Sequence, residues 1–182
     1  MRVIGGEFRS RRLKSLSGLA LRPTPDRLRE ALFNVLAPDL AGSTFVDAYA
    51  GCGAVGIEAL SRGAARAIFI EKHRPAARVI EENLRALGAG DRSLVILARA
   101  AAHLGRVDAD IVFLDPPYDL EGEYRQALRL LGRNPPRLVV AQHAARLELA
   151  AAYGSLHRSR VLRQGGNVLS FFVPLPATAT GL

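Results

Sequence analysis

The chain has 182 residues, 49% hydrophobic and 23% charged, and its 25 Lys and Arg against 17 Asp and Glu give a formal charge of +8. That length supports one domain with a sizeable core rather than two, and the apolar share excludes a disordered or fibrous chain. A domain this basic points to a polyanionic partner, RNA or DNA ahead of an acidic membrane surface, because no run of about 18 apolar residues and no basic amphipathic anchor occurs.

MRVIGGEFRSRRL lacks the apolar core of a signal peptide, and Cys52 is the single cysteine. No intrachain disulfide can form, and no cluster has zinc-ligand spacing. The expectation is a metal-free protein in a reducing, cytoplasmic setting with no membrane contact.

In chain order, the first forty residues read as a separate basic piece. Arg2, Arg9, Arg11, Arg12, Lys14 and Arg22 are interrupted by only one acid, Glu7. RVIGG and RRLKSL suggest short strands around a turn. TPDRLREALFNVLAP suggests a helix with Thr24 as N-cap, Pro25 at its first position, an apolar stripe of Leu28, Ala31, Leu32, Val35 and Leu36, and a stop at Pro38. From Thr44 onward the pattern alternates. TFVDAYA (44–50) is an apolar run ending at glycines, and AVGIEALSRG (54–63) is helical. AIFIE (67–71) is a strand ending in an acid. PAARVIEENLRALG (75–88) sets Ala76, Val79, Ile80, Asn83, Leu84 and Leu87 on one helical face, with Gly88 to end it. LVILA (94–98) and DIVFLD (110–115) are strands, EYRQALRLLG (123–132) a helix, and RLVVAQ (137–142) a strand. This alternation predicts an α/β fold whose parallel sheet is buried on both faces. SLHRSRVLRQGGNVLSFFV then predicts an antiparallel hairpin around Gln-Gly-Gly-Asn. The expected organisation is one domain over 1–173, with 1–40 as a basic RNA-binding extension and helix, 44–173 as the catalytic sheet, and 174–182 as a loose tail.

Gly51-Cys52-Gly53-Ala54-Val55-Gly56 matches G-x-G-x-x-G between a strand and a helix, where a ligand approaches backbone closely. Glu71, at the end of the next strand, is placed for ribose hydroxyls. Both features suit a nicotinamide dinucleotide as well as S-adenosylmethionine. Asp47, four residues before Gly51, separates them. Beside a pyrophosphate, at about 4 Å and an effective dielectric near 20, its charge costs about 4 kcal/mol. Toward the ammonium and sulfonium of S-adenosylmethionine it is attractive. The plainer alternative is that Asp47 caps the amides of the loop. Without G-K-[ST] the loop is not a nucleoside triphosphate site. Cys52 has no evident His partner and reads as a small residue in a tight turn.

IVFLDPPY (111–118) ends a buried strand on a carboxylate, two prolines and an aromatic ring. Neither Pro116 nor Pro117 can donate an N–H, and Asp115 before a proline is steered into extended backbone. The turn therefore offers acceptors beside the flat face of Tyr118, which suits a planar group bearing an amino function, such as a nucleobase. Asp115 and Pro116 can hold both N–H groups of an exocyclic amine so that its lone pair faces a methyl donor.

DPPY after a strand, with DAYAGCGAVGIEALSRGA upstream, resembles the class I amino-methyltransferases. RVIGGEFRSRRL and LRPTPDRLREALFNVL narrow the resemblance to the bacterial 16S ribosomal RNA guanine-N2 methyltransferases, over residues 1 to about 173. The N-terminal signatures are specific to that family, whereas DPPY and the glycine loop are shared more widely. The resemblance implies a Rossmann-like, mostly parallel seven-stranded sheet with helices on both faces. S-adenosylmethionine would be held by Asp47, Ala50, Gly51, Gly53, Gly56 and Glu71. Asp115, Pro116, Pro117 and Tyr118 would hold the guanine. Arg2, Arg9, Arg11, Arg12, Lys14, Arg22 and Arg27 would bind 16S rRNA, with a small-subunit assembly intermediate as substrate and a monomeric enzyme. One departure stands out. Where such enzymes carry a small acid or amide for the adenine amine, this chain has Arg99, which cannot accept a hydrogen bond, so backbone near Ala100 is the expected contact. His73, His103, His143 and His157 are scattered, which suits surface or structural roles. The competing readings are an adenine-N6 methyltransferase, a protein glutamine methyltransferase and a non-catalytic RNA-binding assembly factor.

Overall fold

The computed structural model describes residues 1–16, 24–117 and 120–176. Among the described residues four α-helices, α1 (Asp26–Leu40), α2 (Ala54–Ser61), α3 (Arg74–Leu87) and α4 (Glu121–Leu131), cover a single sheet. Its strands are β1 (Thr44–Asp47), β2 (Arg66–Glu71), β3 (Ser93–Leu97), β4 (Ile111–Leu114), β5 (Leu138–Ala144), β6 (Ala152–Tyr153), β7 (Leu156–Gln164) and β8 (Asn167–Pro174). Their order is β3-β2-β1-β4-β5-β8-β7-β6. The first five pair in parallel, and β8, β7 and β6 are added antiparallel.

β4 is the wholly apolar run IVFL, and β1 carries Phe45 and Val46 between Thr44 and Asp47 at its two ends, as strands sandwiched between two helical layers must be apolar through their middle. Alternate residues face opposite layers. Phe45, Ile111, Phe113, Val140 and Phe171 pack with Leu28, Leu32, Phe33 and Leu36 of α1 and Val55 and Ala59 of α2. Val46, Ile68, Val112, Leu114 and Val139 pack with Tyr124, Ala127, Leu128 and Leu131 of α4. The α1–α2 layer and α4 thus lie on opposite faces. α3 places Ala76, Ala77, Ile80, Asn83 and Leu84 inward and ends at Gly88 in the left-handed conformation, φ 68°.

Several expectations are corrected. Residues 1–16 form no strand pair beyond one antiparallel bridge between Arg2 and Arg12. The amides of Ile4 and Gly5 instead donate to the two carboxylate oxygens of Glu58, both at 2.8 Å, and Phe8 N donates to Ser61 Oγ at 2.8 Å. Val3, Phe8 and Leu13 are buried against α2 and α3, so the segment is a hook sewn into that surface. Thr24 does not cap α1. Pro25 occupies the cap position, and Thr24 Oγ1 lies 3.4 Å from Asp115 Oδ2. Pro38 sits inside α1, because the N–H it lacks would have served the carbonyl of Asn34, on the helix's exposed side. An eighth strand, the two-residue β6, extends the expected seven. Gly154 at φ 60° allows its tight turn to β7. Residues 177–182 of the expected tail lie outside the described residues, while Leu175 N donates to Ser155 O.

Candidate active site

The C-terminal edge of the parallel strands gathers Asp47, Glu71 and Asp115 at the ends of β1, β2 and β4. β1 lies between the other two. The intervening glycine loop needs its glycines for two different reasons. Gly51 and Gly53 take φ of 56° and 81°, and Gly53 is the residue from which α2 springs. Gly56 is required by packing: a Cβ there would lie 2.3 Å from the Phe69 ring, so its absence lets α2 approach β2.

The acids hold this loop. Asp47, 2% exposed, accepts the Gly56 amide through Oδ2 at 3.0 Å, so the capping alternative is realised on one oxygen. Glu71 accepts Gly51 N through Oε2 and His73 N through Oε1, each at 2.8 Å. Asn83, read from the sequence as part of an apolar face, is buried. Its Nδ2 donates to Cys52 O at 3.3 Å, and its Oδ1 accepts Lys14 N at 2.8 Å, which ties the loop to the hook.

Burial dominates the electrostatics. It pushes the Asp47 carboxyl up to about 7, with the Gly56 amide opposing and the Glu71 charge adding. Asp115 is pushed up to about 8, by burial first and then by the charge of Asp47, with Thr24 opposing weakly. Among the described residues no Lys or Arg forms an ion pair with Asp47, Glu71 or Asp115. The edge is therefore an acidic recess that a small cation would relieve. A ligand with an ammonium and a sulfonium fits this donor set, and a pyrophosphate does not. Burial raises the Cys52 thiol as well, which makes it a poor nucleophile.

Asp115 is half-buried, Pro116 buried and Pro117 exposed; Tyr118 lies outside the described residues. Three partners that the sequence did not announce fix this turn. Gln142 of β5 donates Nε2 to Asp115 Oδ2 at 3.0 Å, and its buried Oε1 has no partner among the described residues. The buried Tyr124 hydroxyl lies 3.2 Å from Pro116 O and 2.8 Å from Gln142 O. Thr24 is the third. The only local signal was the RLVVAQ pattern ending on a polar residue at a strand tip. Tyr49, beside the glycine loop, donates its hydroxyl to Glu123 Oε2 at 3.0 Å. Burial and that carboxylate hold the phenol above its ordinary range.

A family model described as conserved hypothetical protein 95 matches residues 1–173. The chain belongs to this family. Among its relatives is the Escherichia coli K12 ribosomal RNA small subunit methyltransferase D, 38% identical over 172 residues, covering 90% of this chain and 86% of that one. The solved Escherichia coli yhhF structure superimposes with a TM-score of 0.84 at 34% identity, covering 96% and 97% of the two chains. A Salinibacter ruber RNA methyltransferase, solved in complex with S-adenosyl-L-homocysteine, shares the fold at a TM-score of 0.65 and 18% identity over 85% and 97% of the chains.

In this family member, Ala50 is buried in the loop, and its amide donates to Ile70 O at 3.0 Å. Ala100 opens a short 3₁₀ turn, Ala100–Ala102, with Arg99 exposed before it. The basic residues expected to bind RNA divide. Arg2, Arg9, Arg12 and Arg27 are exposed, and Arg2 and Arg12 line a depression of about 490 Å³ with Met1, Ser10 and Asp26. Arg11 donates to Ala86 O at 3.0 Å, and Lys14 is paired with Glu82 at 2.7 Å, so these two also fasten the hook. Arg22 lies outside the described residues. Arg29, which the sequence reading passed over, is fully buried. Its Nη2 donates to Arg2 O at 2.6 Å, and its Nε lies 3.8 Å from Glu58 Oε2. Among the histidines, His143 Nε2 lies 2.9 Å from Ser170 Oγ and burial lowers its pKa, which fits a structural role.

Proposed function

We propose that this protein transfers a methyl group from S-adenosylmethionine to the exocyclic N2 amine of a guanine in 16S ribosomal RNA. One observation carries the proposal: buried Asp47 and half-buried Asp115, on adjacent strand ends, are both raised toward neutrality and lack a cationic partner among the described residues. The activity and RNA named for the Escherichia coli relative supply the substrate class. The substrate is taken as a small-subunit assembly intermediate and the enzyme as a cytoplasmic monomer. No helix among the described residues is long and apolar enough to cross a membrane.

In this reading Asp47 faces the ammonium end of the donor through the oxygen not used on Gly56. Glu71 retains lone pairs on both oxygens for ribose hydroxyls after accepting two amides. Gly51, Gly53 and Gly56 let the donor reach backbone, and Ala50 and Ala100 line its edges. Bound there, S-adenosylmethionine supplies a methyl group on a positively charged sulfur, a good leaving group.

Asp115 and the Pro116 carbonyl accept the two N–H groups of the amine. Pro116 O shares the single Tyr124 hydroxyl proton with Gln142 O and keeps a second lone pair. Because Pro116 and Pro117 have no N–H, the turn adds no donor that would compete for those acceptors. Holding the amine this way turns its lone pair toward the methyl group, and positioning supplies most of the acceleration. As the N–C bond forms, the amine loses one proton, for which ionised Asp115 is the nearest base. Tyr118 is assigned the stacking face on sequence grounds. Arg2, Arg9, Arg12 and Arg27 grip RNA phosphates, with Arg11 and Lys14 contributing from the anchored side of the hook.

The test is to incubate the protein with labelled S-adenosylmethionine and undermethylated small subunits, then digest to nucleosides. N2-methylguanosine is expected. Label in N6-methyladenosine, or in protein, would replace the proposal with one of the other two enzyme readings. Asp115→Ala should keep RNA affinity and lose nearly all turnover; unchanged turnover would remove Asp115 from the chemistry.

A further inference from the structure

We propose that the outer face of α4 is a second RNA-backbone docking surface, on the opposite side of the sheet from the N-terminal hook. The inference rests on the reading of RNA as substrate and concerns residues that reading did not use.

Arg125, Arg129 and Arg133 recur every four residues along α4 and its C-terminal extension, and all three are exposed. They line one depression of about 390 Å³ together with Gly122, Gln126 and Leu130. Among the described residues none of the three forms an ion pair. Glu121, one turn before Arg125, is not paired with it, and Glu123 is occupied by the Tyr49 hydroxyl. Like charges four apart on a helix repel. This stripe therefore carries a repulsion that the described residues do not offset, and an anion laid along it removes that repulsion. Elsewhere the chain does pair arginines along helices, as with Arg62 and Glu58 at 2.7 Å and Arg29 with Asp26 at 3.1 Å.

The spacing fits a polyanion rather than a single ion. Arg125 to Arg129 spans about 6 Å at about 1.5 Å per residue, and Arg133 continues the row two residues past the end of α4. Arg106 adds to the same face: a Cβ on Gly105 would lie 3.9 Å from Leu130 Cδ2, which places that loop against α4. The surface is also fixed to the site. The Tyr124 hydroxyl, one residue before Arg125, reaches Pro116 O, and Glu123 holds Tyr49 beside the glycine loop. A phosphate strand on α4 is thus held in register with the Asp115 turn. The hook sits on the α2–α3 surface, so the two basic patches flank the cofactor edge from opposite faces.

The experiment compares the full chain with an Arg125→Gln, Arg129→Gln, Arg133→Gln variant. The probe is an unmethylated 16S ribosomal RNA transcript, with filter binding across a salt series and steady-state methylation of undermethylated small subunits. Each lost phosphate contact should lower the slope of log affinity against log salt by about 0.7 to 0.9. The triple variant should therefore lose about 2 to 3 from the slope and about 10- to 100-fold in affinity at low salt. KM for subunits should rise, while kcat and S-adenosylmethionine affinity stay within about two-fold. A urea midpoint equal to or above that of the parent would show the fold intact, since only mutual repulsion is removed. Unchanged slope and affinity in the folded variant would overturn the proposal, including in favour of a protein partner for this face. Failure of the substrate reading is seen separately, in the parent protein, as an absence of RNA binding and of methylated guanosine.

Discussion

The carboxylate of Asp47 raises the proton affinity of Asp115 across two adjacent parallel strands, while Glu71 does the same to Asp47 from the other side. Three acids gathered at one sheet edge make a site that is under electrostatic load until a cation enters.

That load sets a pH dependence of stability. The folded Asp47 keeps its proton to about pH 7, whereas the unfolded side chain releases it near the ordinary carboxyl value of 3.8. Between these values the native state binds more protons than the unfolded state, so stability falls as pH rises through that window and levels off above it. The cost above pH 7 is on the order of 4 kcal/mol as an upper bound. Asp47→Asn keeps an oxygen for the Gly56 amide and carries no charge. Its urea midpoint should match the parent near pH 4 and exceed it at pH 7.5. A parent more stable than the variant at pH 7.5 would contradict the assignment.

Donor binding should expel protons. Burial makes both Asp47 and Asp115 hold their protons to higher pH than an ordinary carboxyl, and a bound cation lowers both and favours their ionised forms. Calorimetric titration in two buffers of different ionisation enthalpy should report release of about one proton with S-adenosylmethionine. S-adenosylhomocysteine lacks the sulfonium charge and should release fewer. Equal release with both would show that the acids do not sense the sulfur.

Gln142 orients Asp115 by donating to it, and a hydrogen bond to the ionised form favours that form. Gln142→Leu removes the donor and should raise the Asp115 pKa further. The acidic limb of the kcat profile should move to higher pH, with kcat at pH 7 reduced about 10-fold and the donor KM little changed. A uniform loss of kcat with an unmoved profile would indicate a packing role alone.

The hook depends on Glu58, a fully buried carboxylate shared by two amides and two arginines. Glu58→Ala leaves the Ile4 and Gly5 amides without their acceptor and Arg29 with only Asp26 as counter-ion, at a cost of about 3 kcal/mol. Hydrogen exchange at Ile4 and Gly5 should accelerate ahead of the core strands, and RNA affinity should drop more than donor affinity. Retained protection at those amides would mean that Val3, Phe8 and Leu13 hold the segment unaided.

The sequence alone determined the doubly covered parallel sheet, because strands buried on both faces must read as unbroken apolar runs, as IVFL and FV do. It also determined where the acids and glycines stand, since Asp47, Glu71, Asp115 and Gly51 are defined by position along the chain at strand ends. Tertiary structure decided what those groups touch. Gln142, Tyr124 and Thr24 reach the Asp115 turn from elements 27, 8 and 91 residues distant, and no local pattern encodes such a meeting. Nothing in its local sequence marked Arg29 for burial under Glu58 and the Arg2 carbonyl, and Thr24 looked like a cap until Asp115 came within its reach. Periodicity records which way a side chain points relative to its own element; the partner it finds there depends on how the elements pack, which is a property of the whole chain.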